Sequence, residues 1–268
     1  MKISVVTVCY NSVDTIEETM LSVLNQTYSD VEYIIIDGGS TDGTVDIIKK
    51  YADRLAFWVS EPDKGIYDAM NKGIARATGD YINFMNAGDK FKHDSIIDEI
   101  FGSCAKIAPV DILYGNAIFS YPWGELLVMP RALTEFKSYD PILHQSSFTK
   151  LQLLKDSPFD ISFKIAGDYN FFYKCYIAGK LFKYLDLPIS IFDASDGISS
   201  NAIGLRLNEG LKITGQKPNL KFRIRKLRMI IKYSLRMAVN RISPSFAGYL
   251  QKRILLKRGR ISDSNEQL

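Results

Sequence analysis

Carboxylates that end apolar runs are the first residues to weigh for chemistry in this 268-residue chain. Asp89 closes Asn86-Ala87-Gly88-Asp89, where the run Tyr81–Met85 stops. A carboxylate there can hold Mg²⁺ or Mn²⁺ against a diphosphate, because hard cations take one or two carboxylates plus the substrate's own oxygens. The same four residues also make a plain turn. Asp37 opens Asp37-Gly38-Gly39-Ser40-Thr41-Asp42-Gly43 at the end of another apolar run. The glycines permit close backbone approach to a ligand, and Asp37 can accept from a base or ribose. An ordinary turn that caps the next helix fits these residues too. Asp168 follows Ala166-Gly167 at a predicted helix start, where it can cap the helix or take a proton from a hydroxyl. His144-Gln145, after Pro141, offers two side chains to an acceptor or forms a structural polar pair.

The surrounding elements must bring these residues together. Ile3–Val8 is a short β-branched run, which predicts a buried strand. Ile16, Met20, Val23 and Leu24 then recur at helical spacing, with Asn11 or Ser12 as candidate caps. Strands are predicted at Tyr33–Ile36, Leu55–Val59 and Tyr81–Met85, with helices through Val45–Tyr51 and Ile66–Ala77 between them. Strand–helix alternation with short links predicts an α/β fold on a mostly parallel sheet with helices on both faces. Ligands of such sheets bind beyond the carboxyl ends of the strands. Tyr10-Asn11, Asp37–Gly43, Glu61–Lys64 and Asn86–Asp89 all fall there, so the strand period alone places four polar clusters on one rim. Beyond them, strands are predicted at Ile112–Phe119 and Asp186–Phe192 and a helix at Ile165–Ala178.

Composition excludes several classes. Three separated cysteines (Cys9, Cys104, Cys175) and two histidines predict neither a disulfide framework nor a structural zinc site, and a reducing, cytoplasmic setting. Charged residues at 24% argue against wholesale disorder. No apolar stretch reaches 18 residues, so no transmembrane helix is predicted, and the short run after Lys2 does not read as a signal peptide. The Asp37–Gly43 loop has neither the acids of an EF-hand nor the spacing of a dinucleotide fingerprint.

Four blocks, SVVTVCYN at 4–11, IIIDGGSTDGT at 34–44, GDYINFMNAGD at 79–89 and AGDY at 166–169, resemble family 2 glycosyltransferases of the GT-A fold. SEPDKGIYDAMNKGIARATGD at 60–80, HQSSF at 144–148 and DGISS at 196–200 resemble a bacterial subgroup tied to O-antigen, capsule and exopolysaccharide assembly. The likeness is close over the first 120 residues, moderate over 140–200 and absent beyond about 205. It implies a nucleotide-diphosphate sugar donor, UDP by default, and a glycan or lipid-linked glycan acceptor. Val8, Tyr10 and Asp37 would contact the nucleotide, Asp63 and Lys64 would border the donor pocket, and Asp89, with Asn86 nearby, would hold Mn²⁺ or Mg²⁺. Asp168 would be the base. The family's metal motif usually reads Asp-x-Asp; Asn86 and Gly88 thin it here to Asp89 alone. A diphosphate leaving group needs no acid, so one carboxylate base predicts an inverting single displacement, whereas a glycosidase needs two flanking carboxylates.

The C-terminal part has a different character. Between Lys212 and Arg260 there are 15 Lys and Arg and no Asp or Glu. Leu220, Ile224, Leu227, Ile231 and Leu235 fall on one helical face. The pattern suits a helix lying in an anionic membrane surface at the inner face of the cell membrane. Packing on the acidic body and nucleic-acid binding compete with it, the latter with no supporting motif. The expected division is a catalytic domain over 1–204, split near 115 into a donor half and an acceptor and base half. A basic helical segment over 205–261 and a frayed tail over 262–268 follow. Two rivals stand beside the transferase: a degenerate sugar-nucleotide-binding subunit, and a nucleotidyltransferase, which wants a basic Gly-rich loop that Val5–Ser12 lacks.

Overall fold

The computed structural model describes residues 1–102, 110–194, 202–243, 253 and 261–263. Cys104 and the DGISS run lie outside the described residues. The first half folds as its periodicity predicts. β1 (Ile3–Cys9), β2 (Val31–Asp37), β3 (Phe57–Ser60) and β4 (Tyr81–Phe84) alternate with α1 (Ile16–Leu24), α2 (Thr44–Lys50) and α3 (Ile66–Arg76). The four strands lie parallel in the order β4-β1-β2-β3, with Val8 opposite Ile36 and Val6 opposite Phe84. Their carboxyl ends, and so the four polar loops, share one rim.

The second half joins this sheet in a different sense. β5 (Lys90–Phe91) and α4 (Ile96–Phe101) follow the fourth rim loop. β6 (Ile112–Tyr121) and β7 (Gly124–Val128) form a hairpin. β8 (Ser147–Lys150) sits antiparallel between β4 and β6, and β9 (Phe182–Asp193) runs parallel to β6. The whole sheet is therefore mixed, with its parallel character concentrated in the first half of the chain. β8 is only four residues long and had no period to reveal it.

Each face of the sheet carries its own core. Val6, Val8, Ile34, Ile36 and Phe84 pack under α3, α5 (Leu151–Asp156) and α6 (Gly167–Ile177). Alternate residues Val5, Ile35 and Tyr33 pack with Ile16, Met20 and Ile48 on the opposite face. This is the period-two division of a strand buried on both sides. Gly73 brings α3 onto β1: a Cβ there would run into Val6 Cγ1. At the opposite end of the strands, Glu32 holds β1, β2 and the α3–β4 link together. Its buried carboxylate takes Ser4 Oγ, the N–H groups of Thr78 and Gly79, and the Lys2 ammonium at 2.7 Å. Burial opposes its ionisation, but these donors prevail and hold the carboxyl at about 2.

Two helices follow, α7 (Ile203–Thr214) and α8 (Leu220–Ile242). The expected boundary at 204/205 falls inside α7, which packs on α6 rather than standing apart. β10 (Ile261–Asp263) pairs antiparallel with β7, so residues 262 and 263 belong to the sheet and not to a frayed tail. The free edge of β7 supplies the backbone partners that a sequence pattern could not announce. Among the described residues, no helix is long and apolar enough to cross a membrane.

Candidate active site

The rim begins with loops that organise one another. Asn11 takes a left-handed conformation, φ 47°, which Asn tolerates better than most residues. In that pose its N–H donates to Ser40 Oγ and its Oδ1 accepts from Thr41 N, at 2.7 and 3.0 Å, tying the first loop to the second. Asp37 is fully buried. Its carboxylate accepts from the N–H groups of Gly39 and Ser40, the hydroxyls of Ser40 and Ser60, and Cys9 Sγ. Those donors outweigh burial and hold its carboxyl below the usual range. The sequence assigned Asp37 to the ligand; here its oxygens are spent on the loop. Val8 is likewise core, directly below the rim. What the rim presents is Tyr10, 64% exposed, beside Gly38 and Asp63. A Cβ at Gly38 would lie 2.5 Å from Asp63 Oδ2 and 3.4 Å from the Tyr10 ring. Asp63 Oδ1 accepts from Gly65 N at 2.7 Å, and Lys64 is exposed next to it.

A continuous hydrogen-bonded chain links the fourth rim loop to α6. Asp168, in the first turn of α6, accepts Tyr67 Oη at 2.9 Å on one carboxylate oxygen and His144 Nδ1 at 2.8 Å on the other. His144 Nε2 meets Asn86 Nδ2 at 3.0 Å. The carboxylate keeps a proton on Nδ1; burial alone would lower the imidazole's pKa, but the hydrogen bond and charge of Asp168 and the charge of Asp89 raise it, with the Asn86 amide against Nε2. Both ring nitrogens are thereby engaged within the protein, so His144 braces Asp168 instead of reaching out to an acceptor. Gly167 allows the approach, since a Cβ there would come within 2.8 Å of the Tyr67 ring. Burial would raise the Asp168 carboxyl, but His144 and Tyr67 reverse this and hold it low. Tyr67 itself is pushed well up by burial and by Asp168.

Asp89 lies on the same loop as Asn86. Gly88 turns that loop with φ 99°, its N–H held by Thr19 Oγ1 at 3.0 Å. Burial pushes the Asp89 carboxyl up to about 7, against the pull of His144 and a hydrogen bond from Gln145. The Gln145 side chain is buried and hydrogen-bonds Asp89, while its backbone carbonyl accepts from Asn83 Nδ2. Among the described residues no cluster of three His, Cys, Asp or Glu forms a metal cage. Asn86 Oδ1 and Gln145 Oε1 are nevertheless buried oxygens with no partner. A buried carboxylate that resists ionisation and two spare amide oxygens fit a hard divalent cation, with a diphosphate supplying further oxygens.

The sequence reading missed α7's part in this site. Buried Glu209 accepts the N–H groups of Lys164, Ile165 and Ala166 at 2.8, 3.1 and 2.9 Å. These three residues lead straight into Gly167-Asp168. Tyr67 was also missed; its helix pattern marks only a buried position.

Comparison with known proteins agrees with this architecture. Residues 4–99 match the model of glycosyl transferase family 2. Residues 4–99 thus belong to glycosyl transferase family 2, and the chain has the GT-A fold. It is 34% identical over 174 residues to an uncharacterized glycosyltransferase of Mycobacterium tuberculosis, an alignment covering 63% of this chain and 66% of that one. It therefore spans just under two thirds of that relative. It is 41% identical over 97 residues to a putative teichuronic acid biosynthesis glycosyltransferase of Bacillus subtilis, covering 35% and 38%. Glucosyl-3-phosphoglycerate synthase of Mycobacterium tuberculosis, solved with Mn²⁺, UDP and glucosyl-3-phosphoglycerate, shares the fold with TM-score 0.60 and 16% identity over 81% of each chain.

Proposed function

We propose that this protein transfers a sugar from a nucleoside diphosphate sugar, with UDP the first nucleotide to test, to an acceptor hydroxyl, inverting the anomeric centre. The observation that carries the reading is Asp168, a partly enclosed carboxylate held by Tyr67 and His144 and joined through Asn86 to the loop of Asp89. Tyr10, Asp63 and Lys64 would receive the nucleotide end of the donor. Asp168 takes the proton of the attacking hydroxyl at a carboxylate oxygen, and Tyr67 and His144 keep that oxygen aimed. Asp89, with Asn86 beside it, would hold Mn²⁺ or Mg²⁺, whose charge offsets that of the departing diphosphate. The UDP- and Mn²⁺-bound neighbour supports this donor class, and the teichuronic acid relative supports a role in polysaccharide synthesis.

Thermal unfolding against UDP, GDP, CMP and dTDP, with and without Mn²⁺, tests the donor site. A ligand at about 100 times its dissociation constant adds roughly 2.7 kcal/mol. That is a shift of roughly 5–10 °C for a chain of this size. The expected result is a UDP-selective shift that needs Mn²⁺ and disappears in Asp89→Ala. No shift with any nucleotide rejects the donor reading, whereas a shift without turnover favours a degenerate sugar-nucleotide-binding subunit.

The acceptor is proposed to be lipid-linked, with α8 resting on an anionic membrane surface. Leu220, Leu227 and Leu235 are 72%, 59% and 61% exposed, in line with Ile224 and Ile231. Arg223, Arg228 and Lys232 flank this stripe, while Lys226 on the inner side donates to Asn208 of α7 at 3.0 Å. An apolar stripe between basic flanks suits the lipid interface. Replacing Leu227, Ile231 and Leu235 together by Ser removes about 3 kcal/mol of apolar insertion, roughly a hundredfold in partitioning. Co-sedimentation with phosphatidylcholine vesicles containing an anionic phospholipid reads this out. Unchanged partitioning rejects the membrane role.

A further inference from the structure

A cavity of about 280 Å³ opens on the rim beyond Asp89, and the chemistry above does not use it. Its walls come from elements that end at one place. Register sets Lys90 of β5 opposite Ile191 of β9, and Asp193 of β9 opposite Ser120 of β6. The N–H of Asp193 also donates to the Asp89 carboxylate, which ties the end of β9 to the fourth rim loop. The turn before α1 and the start of that helix close the other side with Asp14, Thr15 and Glu18. Among the described residues, none of Tyr67, His144 and Asp168 lines the cavity, and none of Tyr10, Asp63 and Lys64. Tyr121, at the tip of the β6–β7 hairpin, supplies an aromatic wall. Trp123 backs that ring, parallel to within 10° with 4.7 Å between centroids.

We propose that this cavity is an accessory glycan site, which holds one uncharged sugar ring and takes no part in the transfer chemistry. Asp14, Glu18 and Asp193 are exposed carboxylates around it, and Lys90, the cationic side chain of the described lining, is already paired with Glu18 at 3.0 Å. The acids do not converge as metal ligands do: no three such groups form a metal cluster among the described residues. Carboxylates spread around a chamber instead suit the several hydroxyls of one ring, each of which can donate to a different acid. The C–H face of the same ring packs on Tyr121. The volume lies near the small end of ligand sites, roughly 300 Å³, and so admits about one ring. An acidic sugar would bring its own negative charge against three carboxylates. In a single displacement the acceptor hydroxyl and the leaving diphosphate lie on opposite sides of the anomeric carbon. On the reading above, Asp168 serves the first and Asp89 the second, so a cavity beyond Asp89 lies past the reacting sugars. A glycan held there by a remote unit stays near the enzyme, which raises its effective concentration.

Saturation-transfer NMR on the full chain, with UDP and Mn²⁺ present, tests the site. The probes are methyl glycosides of common neutral hexoses and methyl glucuronoside. At least one neutral hexoside is expected to bind, and more tightly than the glucuronoside. Tyr121→Ala and Asp14→Ala are each expected to weaken that binding about tenfold, the scale of one aromatic contact or one hydrogen bond to a charged group. Asp168→Asn is expected to bind the hexoside as the wild type does, because Asp168 stands outside the cavity. Thermal unfolding with UDP is expected to match the wild type in Tyr121→Ala and Asp14→Ala, which shows that both fold and keep the donor site. Wild-type affinity for the hexoside in both variants overturns the proposal. So does tighter binding of the glucuronoside, loss of binding in Asp168→Asn, or binding of no neutral hexoside. Failure of UDP to bind the wild-type chain would instead strike the donor reading, whatever the glycosides do.

Discussion

On the proposed reading, Asp168→Asn is expected to lower sugar transfer by about a thousandfold while the UDP-induced thermal shift survives. A positioned base typically contributes 10²–10⁴-fold, and the amide has no oxygen basic enough to take a hydroxyl proton. The substitution also reverses one bonding role. The carboxylate accepts from Tyr67 Oη, His144 Nδ1 and its own helix at Tyr169 N, and an amide nitrogen can accept none of these. The measurement is release of labelled UDP from its sugar conjugates in the presence of membranes as acceptor source. A variant that keeps more than a tenth of wild-type turnover would remove Asp168 from the role of base. Inversion is checked on the same product by NMR of the new anomeric centre, and retained configuration rejects the single displacement.

The second large effect is structural. Glu209→Ala leaves the N–H groups of Lys164, Ile165 and Ala166 without their acceptor, the last of them buried and the other two partly so. Losing charged hydrogen bonds of this kind costs about 3 kcal/mol. For a chain of this length the melting temperature falls by roughly 6–12 °C. Glu209→Gln keeps one acceptor oxygen and falls between the two. Turnover at low temperature is expected to fall about tenfold as well, because the segment that seats Asp168 loses its anchor and the base its fixed geometry. An unchanged melting temperature in Glu209→Ala would mean that α7 is an appendage and not part of the site. The apolar stripe of α8 lies on the far side of this helix pair. A protein resting on lipid through α8 would thus have its catalytic segment one helix away from the membrane.

The first half of the chain was legible because its information is local. Ile3–Cys9, Val31–Asp37 and Tyr81–Phe84 are runs of residues buried on both sheet faces, and Ile16–Leu24 and Ile66–Arg76 carry helical spacing between them. Those periods alone set the strand–helix order and put Tyr10, Asp37, Asp63 and Asn86–Asp89 at one end of the strands. The basic stripe of α8 was readable for the same reason.

Side-chain pairing was not readable. The Asp168 contacts come from residues 24 and 101 positions away, and no period or spacing encodes a partner at that distance. Only the folded chain turns Asp37 inward, spends both nitrogens of His144 on Asp168 and Asn86, and turns Gln145 toward Asp89. The insertion of β8 between β4 and β6 does much of this, because the 3-10 turn carrying His144 leads directly into it. Glu209 belongs to the same class: within its helix it is an unremarkable acid. It becomes a clamp because packing brings three unpaired N–H groups to it, and a buried N–H must find an acceptor. Sequence thus determined where the polar loops gather. Tertiary packing decided which of their side chains remain free for a ligand, since that depends on which buried donors and acceptors each must first satisfy.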